Sequence, residues 1–117
     1  TLHDTPRLSE RVDFITTPGY LDGPGAREKI GLPPDTGPHV IITNKAVMRF
    51  DDTTKEAYLA SYHPGSSVEE ILKLTPWPLA VSPDVHETEP PTEAEMKALR
   101  LIDPARMIKI YENRGYI

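Results

Sequence analysis

The sequence contains no cysteine. Disulfides, thiolate metal sites and a cysteine nucleophile are therefore excluded outright. It also lacks a basic surplus: 13 Lys and Arg stand against 18 Asp and Glu, for a formal net charge of -5, and the basic residues are scattered. Without a positive field to gather phosphates, nucleic-acid binding is disfavoured. No apolar run approaches the roughly 18 to 20 residues of a membrane helix, and the opening TLHDTPRLSERVD has no signal-peptide core, so a soluble, cytoplasmic protein with no membrane partner is expected. Apolar residues are scarce as well, at 38%, with aromatics at 7%. Position 1 is Thr rather than Met, which suggests a processed, truncated or renumbered chain.

Proline, by contrast, is abundant, with 13 residues in 117. A chain of this length buries roughly 65% of its unfolded surface, enough for one modest core. Lean hydrophobicity and many prolines together point to extensive irregular structure or bracing by partners.

The pattern along the chain predicts a single α/β unit. Residues 12–16, VDFIT, alternate apolar and polar and end at Thr17-Pro18-Gly19, which predicts a short strand and a turn. Gly19, Gly23, Gly25, Gly31 and Gly37 then mark a long loop with one helical turn over residues 26–30. HVIIT at residues 39–43 and the run 47–50 flank Asn44-Lys45-Ala46, a connection of hairpin length. DDTTKE at 51–56 predicts a second turn before a strand AYLASY at 57–62, completing an antiparallel meander.

Two helices follow from capping signals. Ser67 stands three residues before Glu70, so hydroxyl and carboxylate can cap reciprocally, with Val68, Ile71 and Leu72 on one face up to Thr75-Pro76. Thr92 and Glu95 form a second such box ahead of Met96, Leu99 and Ile102. Between the helices, residues 78–81 predict a short strand and the acidic SPDVHETEPP a surface linker. The closing MIKIYENRGYI predicts an edge strand or a partner-bound tail.

Side-chain chemistry alone declares no enzyme. His3, His39, His63 and His86 lie 36, 24 and 23 positions apart, whereas helical zinc motifs space ligands three to five apart, so no metal site is expected. His63 at a strand end reads best as a hydrogen-bonded histidine. DDTTKE lacks the central glycine of a calcium loop and carries Lys55. Glu69 and Glu70 suit the positive end of their helix. Thr1 has little support as an N-terminal nucleophile. The most suggestive local feature is Asp22-Gly23-Pro24-Gly25-Ala26-Arg27, where free amides of a helical turn and Arg27 could hold an anion. The bland alternative is a turn that starts a helix, with Arg27 paired to an acidic neighbour.

Taken in order, VDFITTPGYLDGPGAREKIGLP, GPHVIITNKAVMRFD, AYLASYHPGSSVEEIL and LIDP resemble the C-terminal portion of the β-type subunits of the glutaconate CoA-transferase family, the family I CoA transferases. The resemblance runs from His3 to about Asp103-Pro104 and is most specific over residues 17–27. It implies that residues 1–117 are a single partial domain, the C-terminal part of an open α/β sheet carrying the meander and two short helices. It also implies an α-type subunit and the N-terminal portion of the same β subunit as partners, in a heterotetramer.

The implied reaction moves CoA from an acyl-CoA to a carboxylic acid through a glutamyl-CoA thioester. Coenzyme A is then a substrate, and no cofactor is needed. The family's glutamate belongs to a part of the β subunit that this sequence does not match, so no catalytic residue is assigned here, although ten glutamates are present. Thr17, Gly19, Tyr20, Gly23, Gly25 and Arg27 are the candidate CoA, anion or interface loop. Related scaffolds that decarboxylate acyl-CoA or hydrolyse a cyclic CoA ester, and a non-enzymatic interaction module, are the alternatives.

Overall fold

The structure is a computed structural model, and it describes residues 1–4 and 7–105. Its centre is a four-stranded mixed sheet of order β1-β2-β3-β4. Strands β1 (Val40–Ile42), β2 (Ala46–Phe50) and β3 (Ala57–Tyr62) pair antiparallel, as the β-branched runs and polar turns predict. The β1–β2 connection is held by Thr43, whose Oγ1 accepts the amides of Lys45 and Ala46 at 3.1 and 2.9 Å. At the β2–β3 turn, Asp51 Oδ1 accepts the amides of Thr53 and Thr54 at 2.9 and 2.7 Å. These two bonds hold the Asp51 carboxyl below its ordinary range.

Helix α2 (Val68–Leu74) leads from β3 to β4 (Ala80–Glu87), which lies parallel to β3. A parallel neighbour requires such a crossover. Ser67 Oγ accepts the Glu70 amide at 3.2 Å. The reciprocal arm of the expected capping box is replaced, because the Glu70 carboxylate accepts Lys45 Nζ at 2.7 Å. Proline at 76 follows the C-cap Thr75 and ends the helix where the sequence predicts.

The core lies between α2 and one face of the sheet. Ala46, Met48, Leu59, Ile71 and Leu79 are buried there, with Ile41, Val68, Trp77 and Val85 packed around them. Leu72, expected on the same helical face, is 37% exposed.

Two expectations about the strands fail as well. Residues 12–16 form no strand; Val12, Phe14 and Ile15 are 61, 79 and 62% exposed. Alternation creates a strand only where a second strand supplies the ladder. Conversely, the stretch expected as a linker contributes residues 82–87 to β4. Pairing with β3 jumps from Leu59↔Val81 to Ser61↔His86, so Pro83 falls in an irregularity on an edge strand, where its missing N–H costs no ladder bond.

The two remaining helices are α1 (Ala26–Lys29) and α3 (Glu93–Ile102). The capping box of α3 is complete, with Thr92 Oγ1 accepting the Glu95 amide and the Glu95 carboxylate accepting the Thr92 amide. No residue of α3 is buried, and Leu101 and Ile102 are 83 and 79% exposed. The expectation for the closing MIKIYENRGYI lies outside the described residues. No helix among the described residues is long and apolar enough to cross a membrane.

Candidate functional site

The glycine-rich loop before β1 folds over the β2–β3 turn and encloses a cavity of about 270 Å³. Tyr20 is its inner wall. The ring meets Phe50 edge-on at 5.2 Å between centroids, and its hydroxyl donates to the Pro38 carbonyl at 3.0 Å. Lys55 Nζ sits 5.6 Å from the ring centroid, within cation–π range. Gly37, at φ 149°, lies so near that a Cβ there would meet Tyr20 ring carbons at 2.6 and 2.8 Å. The loop approaches the ring closely because this position is glycine.

Arg27 braces the loop from within. Its Nη1 donates to the Gly19 carbonyl at 2.6 Å and its Nη2 to Thr36 Oγ1 at 3.0 Å. Thr36 Oγ1 in turn donates to the Pro33 carbonyl at 2.7 Å. The helical turn forms where the sequence places it, since Gly25 at φ 75° supplies the left-handed residue ahead of Ala26.

Of the six residues singled out in the sequence, Tyr20, Gly23, Gly25 and Arg27 line the cavity. Thr17 and Gly19 lie outside it and act through main-chain carbonyls, Thr17 accepting the Gly19 amide and Gly19 accepting Arg27. Among the residues that complete the lining, sequence reasoning missed Asp35, Thr36, His39, Phe50, Asp52 and Lys55. They come from the end of the loop and from the distant β2–β3 turn, so no local spacing marks them.

The lining includes Arg27 and Lys55, but also Glu28, Asp35 and Asp52. With three carboxylates against two cations, the wall offers no broad positive field for a polyphosphate. Such a wall suits a contact with a mixed polar surface, or a single anionic group met at Arg27 or Lys55. Among the described residues, no three His, Cys, Asp or Glu side chains gather as a metal site.

The other histidines are engaged in structure. His63 Nε2 donates to the Thr43 carbonyl at 3.1 Å, and its Nδ1 lies 3.0 Å from Thr88 Oγ1, which also bonds Ser61 Oγ at 3.0 Å. This bracket joins the ends of β3 and β4 and matches the hydrogen-bonded reading of His63. His3 is 2% exposed, between Thr43 Oγ1 at 3.1 Å and Thr75 Oγ1 at 3.0 Å. His86 Nδ1 lies 2.9 Å from the Asp84 carbonyl.

Comparison with known proteins gives this geometry a setting. Residues 3–74 match the coenzyme A transferase family model. The chain is 45% identical over 105 residues to the β subunit of glutaconate CoA-transferase from Acidaminococcus fermentans, covering 89% of this chain and 39% of the relative. It is 35% identical over 106 residues to the β subunit of 3-oxoadipate CoA-transferase from Pseudomonas knackmussii, covering 91% of this chain and 40% of the relative. The chain therefore spans about two fifths of the length of these curated relatives. Its fold superposes on the crystal structure of glutaconate coenzyme A-transferase from Acidaminococcus fermentans with a TM-score of 0.75 and 41% identity, over 85% of this chain and 38% of that one. The open α/β sheet implied by the resemblance is thus the fold observed.

Proposed function

The chain belongs to the coenzyme A transferase family, and on that premise we propose that it is the C-terminal portion of a β-type subunit whose assembled enzyme moves CoA from an acyl-CoA to a free carboxylic acid. The observation that carries this reading is the 45% identity to a CoA-transferase β subunit over 89% of the chain. In the proposed cycle a glutamate outside these 117 residues attacks the acyl-CoA thioester and releases the CoA thiolate. The thiolate then attacks the glutamyl carbonyl of the resulting anhydride and expels the acyl carboxylate. The glutamyl-CoA thioester left behind passes CoA to the incoming carboxylate and regenerates the glutamate.

This chain's share is scaffold and interface. Val12, Phe14, Ile15 and Ile42, with Leu101 and Ile102 on α3, leave apolar surface uncovered at three places. That exposure supports a complement supplied by other polypeptide surface; on our reading this is the rest of a β subunit and an α-type subunit, in a heterotetramer working in the cytoplasm. The loop of Thr17, Gly19, Tyr20, Gly23, Gly25 and Arg27 is assigned to that interface, with Arg27 and Lys55 available to one anionic group of CoA. The mixed charges of the cavity favour the interface over a polyphosphate cradle.

Reconstitution tests the proposal. The chain is combined with the remaining portion of a β subunit and with an α-type subunit, and CoA exchange between an acyl-CoA and a dicarboxylate such as glutaconate is followed by mass spectrometry. Exchange in the assembly and none from the isolated chain is expected. Decarboxylation or hydrolysis without exchange would assign the scaffold to another reaction. Assembly without any turnover would favour an interaction module.

A further inference from the structure

We propose that His3 is a proton-released clasp, holding residues 1–4 to the β1–β2 turn and to the end of α2 while neutral and letting go when its ring is protonated. Of residues 1–4, His3 alone is buried. The segment is held by polar contacts: the Thr1 nitrogen donates to the Ile42 carbonyl at 3.2 Å, the Asn44 amide to the Thr1 carbonyl at 2.9 Å, and the His3 amide to Asn44 Oδ1 at 2.7 Å. The imidazole is the anchor of the set.

Donor and acceptor counting fixes its protonation. Thr75 Oγ1 donates its one hydrogen to the Ile71 carbonyl at 2.8 Å, so it faces His3 Nε2 as an acceptor, and Nε2 carries the proton. Thr43 Oγ1 already accepts two amides, those of Lys45 and Ala46. Both its lone pairs are engaged, so toward Nδ1 it has only its hydrogen to give. The same hydrogen also reaches the Ala46 carbonyl at 3.2 Å, so it is shared between that carbonyl and Nδ1, and in either orientation the Thr43 oxygen has no lone pair left for an Nδ1 proton. Nδ1 is therefore a bare acceptor and the ring is neutral. A second proton at Nδ1 would aim an N–H at an oxygen with no lone pair left, in a site closed to water.

Neighbouring charges compensate only in part. Lys45 on the turn and Glu70 on α2 pair with each other at 2.7 Å, and Asp4 on the segment itself pairs with Arg7. His63, from the end of β3, already spends its Nε2 proton on the Thr43 carbonyl. Burial accordingly holds His3 below the ordinary histidine value, outweighing the Ile71 carbonyl and the carboxylates of Asp4 and Glu70, while Lys45 pushes the same way as burial.

The sign follows directly. A released or unfolded His3 takes up its proton near pH 6.5 and the clasped ring does not, so the open form binds more protons as pH falls. The clasp is at full strength above about pH 6.5, and each pH unit below favours opening about tenfold until the clasped ring protonates too. Opening frees the Ile42 carbonyl and the Asn44 amide, edge groups at the end of β1 that can then pair with another strand.

Histidine-ring nitrogen spectra and amide hydrogen exchange of the full 117-residue chain, taken from about pH 8 to about pH 5, test the clasp. The expected result is an Nε2–H tautomer for His3, and protection at Asn44 and His3 that falls about tenfold per pH unit below 6.5 after correction for intrinsic exchange, while β2 and β3 stay protected. His3→Gln, which cannot titrate, abolishes that pH dependence. An Nδ1–H tautomer, a ring titrating at the ordinary value with Asn44 protection unchanged, or the same pH response in His3→Gln would overturn the proposal. The ring spectra of the unaltered chain decide the matter even where the variant folds poorly.

Discussion

Replacing Gly37 with alanine tests whether the loop is shaped around the Tyr20 ring. Two costs arise at this position. The backbone sits at φ 149°, which an L side chain rarely adopts, and such strain is about 1 to 3 kcal/mol. The added Cβ would also stand 2.6 Å from Tyr20 Cε1, and crowding of this kind costs about 1 to 3 kcal/mol. The ring cannot swing away freely, because it would give up its hydrogen bond to Pro38 and its edge contact with Phe50. The lower ends add to about 2 kcal/mol, and an unfolding entropy of about 2.1 cal/mol/K per residue converts that to a fall in Tm of about 8 °C. Circular dichroism melting of Gly37→Ala beside Gly19→Ala supplies the comparison, since a Cβ at Gly19 meets nothing within 4 Å. Adding Tyr20→Ala to Gly37→Ala removes the clash but not the backbone strain, so the double variant should recover part of the loss relative to Tyr20→Ala alone. Equal melting of the Gly37 and Gly19 variants would refute the close approach.

Other perturbations have distinct signatures. Ile71→Ala empties the fully buried centre of the α2 contact and should cost about 2 to 5 kcal/mol in urea unfolding. Thr92→Ala removes a cap worth about 1 kcal/mol. Because no residue of α3 is buried, that loss should show as faster exchange at residues 95–98 with global unfolding unmoved. Asp51 titrates below its ordinary value in the fold, so its contribution is present above about pH 4 and fades as pH falls further. The stability gap between the native chain and Asp51→Ala, followed by urea melts against pH, should therefore narrow in acid.

The meander was legible because HVIIT and AYLASY are bounded by residues that make turns, and the helices because their caps are local. Each of those features is decided within a few residues of chain. The failures are non-local. VDFIT has the alternation of a strand and finds no second strand, while the proline-bearing SPDVHE becomes one because α2 delivers it beside β3. Glu70 has the position of a capping carboxylate and instead reaches Lys45, 25 residues away. A third of the cavity lining was visible for the same reason. Gly23, Gly25 and Arg27 announce a turn, but Lys55 and Asp52 join them only through the fold. His3, whose partners lie 40 and 72 residues along the chain, left no sequence signal of its role.

The central claim is that this chain is the scaffold part of a CoA transferase and that its nucleophile lies elsewhere. The most direct test incubates the reconstituted enzyme with acyl-CoA, traps the covalent CoA adduct and maps it by peptide mass spectrometry. The account predicts an adduct on a glutamate of the complementing portion and none on the ten glutamates of this chain. An adduct on any residue between 1 and 117, or CoA transfer by the isolated chain, would contradict it.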